Sequence, residues 1–437
     1  MAQRSRSPLG VFLNGRRVGE LRRASSGAIS FTYDPDWLAW EHALPVSLSL
    51  PLREERYAGD PVIGVFENLL PDGEIRRRLA ERVRADGQDA YSLLTKVGSE
   101  CVGALQLLPD GVGPGPLGVV EGRPVDDGEI ARKIESLASS PLGIDDEDRF
   151  RISLAGAHEK LALLRWKHRW HVPHGTTPTT HILKPPIGRL RNGIDLSESV
   201  ENEFLCMKMT AALGLPTAEV DIASFADRRA LVVKRFDRRW DSRERLLRLP
   251  QEDCCQALSV PPDLKYQADG GPDSNRILDL LKASDDPAAD RRQLLRTQMV
   301  FWLLAATDGH AKNTSLFLRP GGRFRLAPLY DVLSAQPARD GRQIGNNQMK
   351  LALSVGDRRH YAIDEITPRH FKQTALANGL PEKTVDDLFG ELLDREASAI
   401  AQVTASLPKG FPEALASSVL EGFHRRMRSW ERRMRPG

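Results

Sequence analysis

The stretch that most constrains this chain is residues 306–331, which place three polar side chains around a predicted turn and hairpin. The preceding residues 291–306 carry apolar side chains at helical spacing and predict a helix. Gly309 comes just past its end, and a glycine there is a stop signal for a helix. Asp308 is therefore expected on a tight loop at the end of the helix.

A hairpin is predicted directly after this loop. Two short apolar runs, residues 314–318 and 324–329, flank a Pro-Gly-Gly turn, which is typical of paired strands. The open ends of antiparallel strands lie about 5 Å apart, so Asn313, entering the first strand, is expected close to Asp331, leaving the second. A carboxylate and an amide oxygen form a hard-oxygen pair suited to Mg²⁺ with phosphate oxygens as further ligands.

Asp308 adds a third polar group to this pair. It lies five residues before Asn313, the spacing of the protein-kinase catalytic loop, where the Asp accepts a hydroxyl proton and the Asn holds a metal. The spacing alone favours a simpler interpretation, in which Asp and Asn only satisfy the backbone of a turn. With Asp331 across the hairpin, the three residues together predict phosphoryl transfer.

Composition excludes several other classes. The 437 residues are enough for two or three domains, and 62 basic against 59 acidic residues give a net charge of +3, which indicates no nucleic-acid partner by bulk charge. The longest apolar run, residues 299–306, is too short to span a bilayer. The four cysteines have no metal-ligand spacing. We expect a reduced, cytoplasmic protein with no membrane partner.

The chain is predicted to divide into four parts. Residues 9–110 form a β-rich front domain that opens with an Asn-Gly hairpin signal at residues 14 and 15. Residues 111–148 form a Gly/Pro-rich linker and a short helix, and residues 149–237 a small lobe. Residues 238–437 are mostly helical, with a flexible stretch around residues 267–275.

The small lobe opens with a predicted hairpin. Residues 150–154 and 160–166 have the pattern of strands, and the small residues Ala155-Gly156-Ala157 lie between them. Backbone N–H groups at such a tip can approach phosphate oxygens. With one glycine the tip matches no phosphate-loop pattern well, and taken alone it is more typical of a structural hairpin.

Lys184 is the second candidate group of the small lobe. It ends a short apolar strand about 25 residues after the small-residue tip, the order in which a kinase small lobe supplies its β3 lysine. The predicted helix of residues 197–213 offers Glu201 or Glu203 as its partner, and the sequence does not choose between them.

Taken together, these motifs resemble the HipA family of bacterial toxin kinases. The resemblance covers nearly the whole chain and rests on the joint, ordered occurrence of these segments: Pro45-Val46-Ser47-Leu48-Ser49-Leu50-Pro51, Glu67-Asn68-Leu69-Leu70-Pro71-Asp72, Phe150-Arg151-Ile152-Ser153-Leu154-Ala155-Gly156-Ala157-His158-Glu159-Lys160, Thr180-His181-Ile182-Leu183-Lys184, Arg235-Phe236-Asp237-Arg238, Leu249-Pro250-Gln251-Glu252-Asp253, Thr307-Asp308-Gly309-His310-Ala311-Lys312-Asn313, Pro328-Leu329-Tyr330-Asp331 and Pro368-Arg369-His370-Phe371.

The resemblance implies an α+β fold: a divergent two-lobed kinase fold preceded by a β-containing domain. It implies an ATP-dependent serine/threonine protein kinase with Asp308 as base, Asn313 and Asp331 holding Mg²⁺, and self-phosphorylation of Ser153 that switches the toxin off. The implied ATP contacts are Ala155, Gly156, Ala157, His158, Glu159, Lys160, Lys184, the backbone of Lys234, Arg235 and Phe236, then His310, Ala311, Lys312 and Tyr330.

The resemblance also implies partners. The family's antitoxin is HipB, a dimeric helix-turn-helix protein that binds operator DNA, and HipA acts with it as a co-repressor. The family's target is an aminoacyl-tRNA synthetase, typically the glutamyl enzyme, so that translation stops and growth arrest or persistence follows.

Some positions depart from what the family leads us to expect. Val332 and Leu333 follow Asp331 where eukaryotic kinases have Phe-Gly, and His158 stands where a glutamine is expected.

The basic run of residues 424–435 fits a solvated helix face better than a phosphate-binding patch.

Two other functions share some of these sequence features. A small-molecule phosphotransferase of the aminoglycoside- or choline-kinase type shares the Asp–Asn–Asp arrangement but needs no front domain. A kinase fold kept only as a co-repressor is disfavoured, because Lys184, Asp308, Asn313 and Asp331 are all present.

Overall fold

The computed structural model describes residues 7–144 and 152–434, which divide into two compact units. The first takes its residues from Met1–Pro185, Ala223–Asp263 and Ser315–Phe324, and the second from Pro186–Ile222, Leu264–Thr314 and Arg325–Gly437. The predicted small lobe is therefore shared between the units, because part of it lies within Pro186–Ile222.

The described residues form both strands and helices. The strands are β1 (Leu9–Leu13), β2 (Arg16–Arg23), β3 (Ile29–Tyr33), β4 (Tyr57–Ala58), β5 (Leu105–Pro109), β6 (Gly122–Val125), β7 (Leu161–Trp166), β8 (Arg169–Pro173), β9 (His181–Lys184), β10 (Gly188–Arg189), β11 (Asp195–Leu196), β12 (Val220–Phe225), β13 (Arg228–Lys234), β14 (Arg238–Trp240), β15 (Leu246–Arg248), β16 (Gln251–Asp253), β17 (Ser315–Arg319), β18 (Arg323–Leu326), β19 (Lys350–Val355) and β20 (His360–Ala362). The α-helices are α1 (Pro35–Leu38), α2 (Asp60–Glu67), α3 (Gly73–Arg82), α4 (Ala90–Val97), α5 (Asp127–Glu135), α6 (Ser199–Ala212), α7 (Cys254–Ala257), α8 (Ser274–Leu280), α9 (Pro287–Leu304), α10 (Gln336–Asp340), α11 (Pro368–Ala377), α12 (Glu382–Ser406) and α13 (Glu413–Met434). Over this described part of the chain, no helix combines the length and the apolar character needed to cross a membrane.

The front of the first unit is an antiparallel five-stranded sheet in the order β4-β3-β2-β1-β5. Asn14 and Gly15 join β1 to β2 with φ angles of 45° and 85°, the positive values that a type I′ turn requires. Phe31 on β3 and Phe66 on α2 are completely buried, with ring centroids 5.9 Å apart. The predicted Asn-Gly hairpin and the β-rich front domain are confirmed.

A second sheet, in the order β12-β13-β9-β7-β8-β6, carries Lys184 at the end of β9. The predicted hairpin before β7 is wrong: residues 152–154 form no strand, and residues 150 and 151 lie outside the described residues. β7 instead pairs with β8 across a turn at Lys167 and His168. The reason is that Ser153 donates its backbone N–H to the Glu100 carbonyl, 2.8 Å away, and so bonds to the front of the unit.

Two of the front-domain motifs, residues 45–51 and 67–72, form hydrogen bonds with residues in and after β16. Ser47 is hydrogen-bonded to the buried Glu252 carboxyl, and the Leu48 N–H donates to the same group at 2.9 Å. Burial raises the pKa of Glu252 to about 8, so this carboxyl is held neutral at pH 7. The Asn68 amide donates to the Val260 carbonyl at 2.8 Å. These hydrogen bonds explain why the two front-domain motifs contain polar residues among apolar ones.

The Arg-Phe-Asp-Arg motif belongs to a buried ion network. Arg235 donates to Asp237 at 3.0 Å, Arg238 to Glu100 at 2.9 Å, and Arg248 to the second oxygen of Glu100 at 2.7 Å. Burial opposes ionisation of Glu100, but the three guanidinium groups hold its pKa at about 2. The network therefore joins the front domain to the strands that follow β13.

The second unit is centred on α9, most of whose residues are buried. Trp302 of this helix, Phe371 of α11 and Trp430 of α13 form an aromatic cluster with centroid distances of 5.2–6.2 Å. Phe389 of α12 stacks on Trp430 at 4.7 Å. The cluster packs the C-terminal helices against the helix that leads to Asp308.

The predicted basic run near the C-terminus does not form one uniform surface. Arg426 is buried and donates to the carbonyl of Leu303 at 2.8 Å and to Gln336 at 2.7 Å. Burial lowers the pKa of Arg426 to about 9. Leu303 lies in the last turn of α9, where a cation complements the carbonyl ends of a helix. Arg425 and Arg428 are exposed.

Candidate active site

The loop that carries Asp308 begins with a left-handed residue. Ala305 has φ 53° and ψ 41°, and its N–H bonds to the Phe301 and Trp302 carbonyls. Gly309 has a different role from the predicted helix stop, because a Cβ placed there would lie 2.3 Å from the Phe301 ring. Ala305 therefore ends the helix, and Gly309 lets the loop pack against it.

Asp308 and Asn313 are joined within one short loop. The Asn313 side-chain amide donates to the Asp308 carbonyl at 2.8 Å, and the His310 N–H donates to the same carbonyl at 2.9 Å. The Asn313 N–H donates to the His310 carbonyl at 2.9 Å. Because its NH₂ group is used in this way, Asn313 has its side-chain oxygen left as a hard ligand atom. The Asp308 carboxylate is 41% exposed.

Asp331 lies in a segment that several elements hold. Its φ of 60° is left-handed, which is uncommon for a residue with a side chain. Tyr330 donates its hydroxyl to the Lys312 carbonyl at 2.8 Å and so ties this segment to the Asp308 loop. Asn202 of α6 makes two hydrogen bonds of 2.9 Å with the backbone of Ser334. The segment that carries Asp331 is thus held by hydrogen bonds of Tyr330 before it and Ser334 after it.

His310 is a buried, neutral group in this loop. Burial, followed by the nearby Lys265 cation, lowers the pKa of His310 to about 4, and the Asp331 carboxylate opposes this change. Within the described residues, its buried Nδ1 has no hydrogen-bond partner. A buried ring nitrogen of this kind can be satisfied by a polar group of a ligand. The role of His310 as a nucleotide contact stays a prediction.

Tyr266 also contacts Asp308, and the sequence analysis missed it. Its hydroxyl donates to Oδ1 of Asp308, and its ring meets the His310 ring edge to face at 4.8 Å. Tyr266 lies 42 residues before Asp308 and borders the stretch predicted to be flexible. No local sequence signal connects it with the loop.

In the first unit, the small-residue loop folds back on itself. Lys160 donates its amine to the Ala155 carbonyl at 2.5 Å, and Gly156 has φ 108°. A Cβ on Gly156 would lie 2.6 Å from that amine. The Asp72 N–H donates to the Gly156 carbonyl at 3.2 Å, and Glu159 forms an ion pair with Arg78. The front domain therefore positions this loop.

Residues 234–236, which are predicted to contact ATP through their backbone, make several contacts within the protein. The Arg235 N–H donates to the Thr180 carbonyl at 2.9 Å, and its side chain belongs to the buried ion network. The Phe236 ring packs against Phe317 with centroids 5.7 Å apart. The Arg235 N–H and side chain are therefore bonded within the protein, and the backbone contacts of this segment with ATP stay a prediction.

Two predicted groups are buried. Ser153 is completely buried, and its hydroxyl donates to the Leu69 carbonyl at 2.7 Å. Glu201 and Glu203 on α6 are both buried, and the predicted pairing of one of them with Lys184 stays a prediction. Among residues 7–144 and 152–434, no group of three or more His, Cys, Asp and Glu side chains could hold a metal. The predicted Mg²⁺ ligands, Asn313 and Asp331, are one amide and one carboxylate and do not form such a group.

The mixed helix-and-sheet architecture, with an Asp-bearing loop after a buried helix, is the arrangement that the predicted kinase-like class requires. Comparison with known proteins gives the family. The model of the HipA N-terminal domain matches residues 9–108, and that of the HipA-like C-terminal domain matches residues 152–400. The chain belongs to the HipA family, and the predicted fold class is confirmed.

Individual relatives cover almost the full length. A protein of Sinorhizobium fredii named "Putative kinase Y4mE" is 35% identical over 90% of this chain and 91% of its own. The serine/threonine-protein kinase toxin HipA of Shewanella oneidensis is 28% identical over 92% of this chain and 90% of its own. A solved complex of Shewanella oneidensis HipA with HipB and its operator DNA matches with a TM-score of 0.80, at 26% identity over 97% of each chain. The chain is thus a kinase of the HipA type.

Proposed function

We propose that this chain is a serine/threonine protein kinase and the toxin of a toxin–antitoxin module, transferring the γ-phosphate of ATP to a protein hydroxyl. The observation that carries the proposal is the Asp308 loop: Asn313 braces the backbone of Asp308 at 2.8 Å while the Asp308 carboxylate stays 41% exposed. A carboxylate presented in this way can accept the proton of an acceptor hydroxyl. Membership of the HipA family supports the kinase chemistry.

The other residues take the roles that the family pattern gives them. Asn313 and Asp331 supply the two hard oxygen donors that would hold Mg²⁺. When bound, Mg²⁺ neutralises charge on the phosphate oxygens during transfer. Lys184 would pair with phosphate oxygens of the nucleotide. The remaining nucleotide contacts would come from residues 155–160, Lys234, Phe236, residues 310–312 and Tyr330.

The proposed acceptor is an aminoacyl-tRNA synthetase, with the glutamyl enzyme as first candidate. The family resemblance supports this target, and its phosphorylation would stop translation and arrest growth. The test is to incubate the purified chain with γ-labelled ATP and a lysate of a strain that lacks this gene, and to identify labelled proteins by mass spectrometry.

The matched control in that experiment is Asp308→Asn. Label on a synthetase with the wild type, and none with Asp308→Asn, is the expected result. Equal labelling by both proteins would contradict the assigned base. Label found only in small molecules would favour the phosphotransferase alternative.

The proposed partner is a HipB-like helix-turn-helix dimer bound to operator DNA. The net charge of +3 gives the isolated chain little attraction for phosphates, so we expect no shift of operator DNA by the chain alone. We expect a further shift when it is added to the antitoxin–operator complex, because the antitoxin dimer already holds the DNA through recognition helices in successive major grooves and the chain needs only to bind the antitoxin. Mobility-shift titrations measure both. Tight, sequence-specific binding by the isolated chain would overturn the co-repressor role.

Ser153 is the proposed site of self-inactivation. A phosphate adds about −1.5 to −2 charges, and the Ser153 hydroxyl is buried against the Leu69 carbonyl. The modified side chain cannot return to that place, so residues next to the Ala155–Lys160 loop must move and nucleotide binding is expected to fall. We propose that the phosphate is then held by Arg151, which lies outside the described residues, or by another nearby cation.

The measurement for Ser153 is phosphosite mapping after incubation with Mg-ATP, with nucleotide affinity determined before and after. Ser153→Ala is the control, and it is expected to stay active and to keep its nucleotide affinity through the same incubation. Full phosphorylation of Ser153 with unchanged ATP affinity would rule out the switch.

A further inference from the structure

We propose that Tyr266 is a positioning residue for Asp308: its phenol holds the carboxylate in the orientation from which it accepts the proton of the acceptor hydroxyl. The proposal rests on the function proposed above for Asp308. The predicted nucleotide and metal residues do not include Tyr266, and its distance in sequence conceals the contact.

The first supporting observation is the geometry at one carboxylate oxygen. The Tyr266 hydroxyl donates a hydrogen bond to Oδ1 of Asp308, and Nε2 of His310 lies 3.9 Å from the same oxygen. The Tyr266 and His310 rings pack at an interplanar angle of 87° with centroids 4.8 Å apart. Rotation of the carboxylate would break the phenol contact. One oxygen is therefore anchored, and the direction of the other is set by it.

The second observation is that Tyr266 is itself held in place. Its carbonyl accepts the N–H groups of Gly271 at 2.9 Å and Asp269 at 3.1 Å. The next residue, Gln267, makes two hydrogen bonds with Ser354, of 2.8 and 2.9 Å. The stretch predicted to be flexible is therefore an ordered, hydrogen-bonded turn at this point.

A glycine makes this turn possible. A Cβ on Gly271 would lie 2.0 Å from the Leu264 carbonyl oxygen and 2.7 Å from that of Tyr266. A side chain is thus excluded where the backbone closes behind Tyr266. A tyrosine held by such a turn is suited to orienting a catalytic group, because it is already in place before the reaction begins.

The first test is the Tyr266→Phe protein, which keeps the ring and removes only the hydroxyl. Loss of a hydrogen bond to a charged group is expected to lower the rate by about 10- to 100-fold. We expect kcat to fall by that factor, with KM for ATP and the melting temperature unchanged. Tyr361→Phe, the same change on β20 of the same unit, is the control and should keep full kcat.

The second test does not depend on activity. The protein has six tyrosines, so labelling with 3-fluorotyrosine gives a fluorine NMR spectrum in which the Tyr266 signal is the one lost in Tyr266→Phe. We expect Asp308→Asn to shift this signal, because the hydrogen-bond acceptor changes from a carboxylate to an amide. Asp364→Asn, a surface change in the same unit, should leave it in place.

The outcomes separate this proposal from the proposed function. A wild-type chain that phosphorylates nothing would contradict the function, and the fluorine spectrum would still decide whether Tyr266 holds Asp308. An unshifted Tyr266 signal overturns the proposal. So does a Tyr266→Phe protein with wild-type kcat, or one whose ATP affinity and melting temperature fall together with kcat, since that pattern is structural damage.

Discussion

An Asp331→Asn protein is expected to fold normally and to lose phosphoryl transfer by about 10²-fold or more, since a metal contributes several kcal/mol of charge stabilisation in the transition state. Asparagine is the suitable replacement because Asp331 has φ 60°, a conformation that asparagine tolerates and most residues do not. The backbone therefore carries no new strain. Initial rates with labelled ATP, measured over a Mg²⁺ titration, provide the test.

The control for this variant is Asp364→Asn. Asp364 pairs with Arg339 at 2.8 Å on the surface of the same unit, so its loss should leave the rate unchanged. If folded Asp331→Asn protein transferred phosphate at the wild-type rate, Asp331 would not be a metal ligand.

A Glu100→Ala protein is expected to lose about 3–5 kcal/mol of unfolding free energy, the cost of leaving buried charges without their partner. Glu100 is completely buried and accepts hydrogen bonds from Arg235, Arg238 and Arg248. Its removal leaves three buried guanidinium groups with Asp237 as the remaining carboxylate of the network. Denaturant unfolding at neutral pH measures the loss.

A surface pair provides the comparison. Glu129 binds Arg123 through two hydrogen bonds of 2.7 and 2.9 Å, and exposed pairs of this kind contribute at most about 1 kcal/mol. Glu129→Ala should therefore cost far less than Glu100→Ala. Equal losses in the two variants would show that the buried network is not a special source of stability.

The pH dependence of Glu100 has a definite sign. Its pKa is lowered from 4.5 to about 2 in the folded chain, so the folded state binds the proton less readily than the unfolded state does. The stabilisation from Glu100 is therefore complete above about pH 4.5 and is lost as the pH falls toward 2. Wild-type stability should decline through this window, and this contribution to the decline should be missing from Glu100→Ala.

The features that the sequence predicted well are those with local causes. Asn14 and Gly15 adopt the positive φ angles that their small or amide side chains tolerate, so the first hairpin forms where expected. The helix before Asp308 follows from helical spacing of apolar residues, and the structure places it at Pro287–Leu304. The five-residue spacing of Asp308 and Asn313 closes into one loop because both residues bond to backbone groups inside it.

The features that the sequence analysis missed depend on contacts between distant residues. Residues 152–154 were predicted to pair with β7, but Ser153 bonds to Glu100 and Leu69 instead. Backbone contacts to the nucleotide were predicted for Lys234, Arg235 and Phe236, but the buried network in which the Arg235 side chain binds Glu100 was not foreseen. Neither partner can be read from the local pattern, because each lies between 53 and 135 residues away in the chain.

What the sequence determined by itself was the family and the type of fold, and it singled out Asp308, Asn313 and Asp331 as the predicted site, because turn chemistry, periodicity and motif order can be read along the chain. What only the tertiary structure decided was which groups support them. Tyr266 reaches Asp308, and Asn202 holds the segment after Asp331, through hydrogen bonds across 42 and 132 residues. These hydrogen bonds join elements that the packing of apolar faces brings together. Because the donors and acceptors are far apart in the chain, they produce no periodic pattern in the sequence.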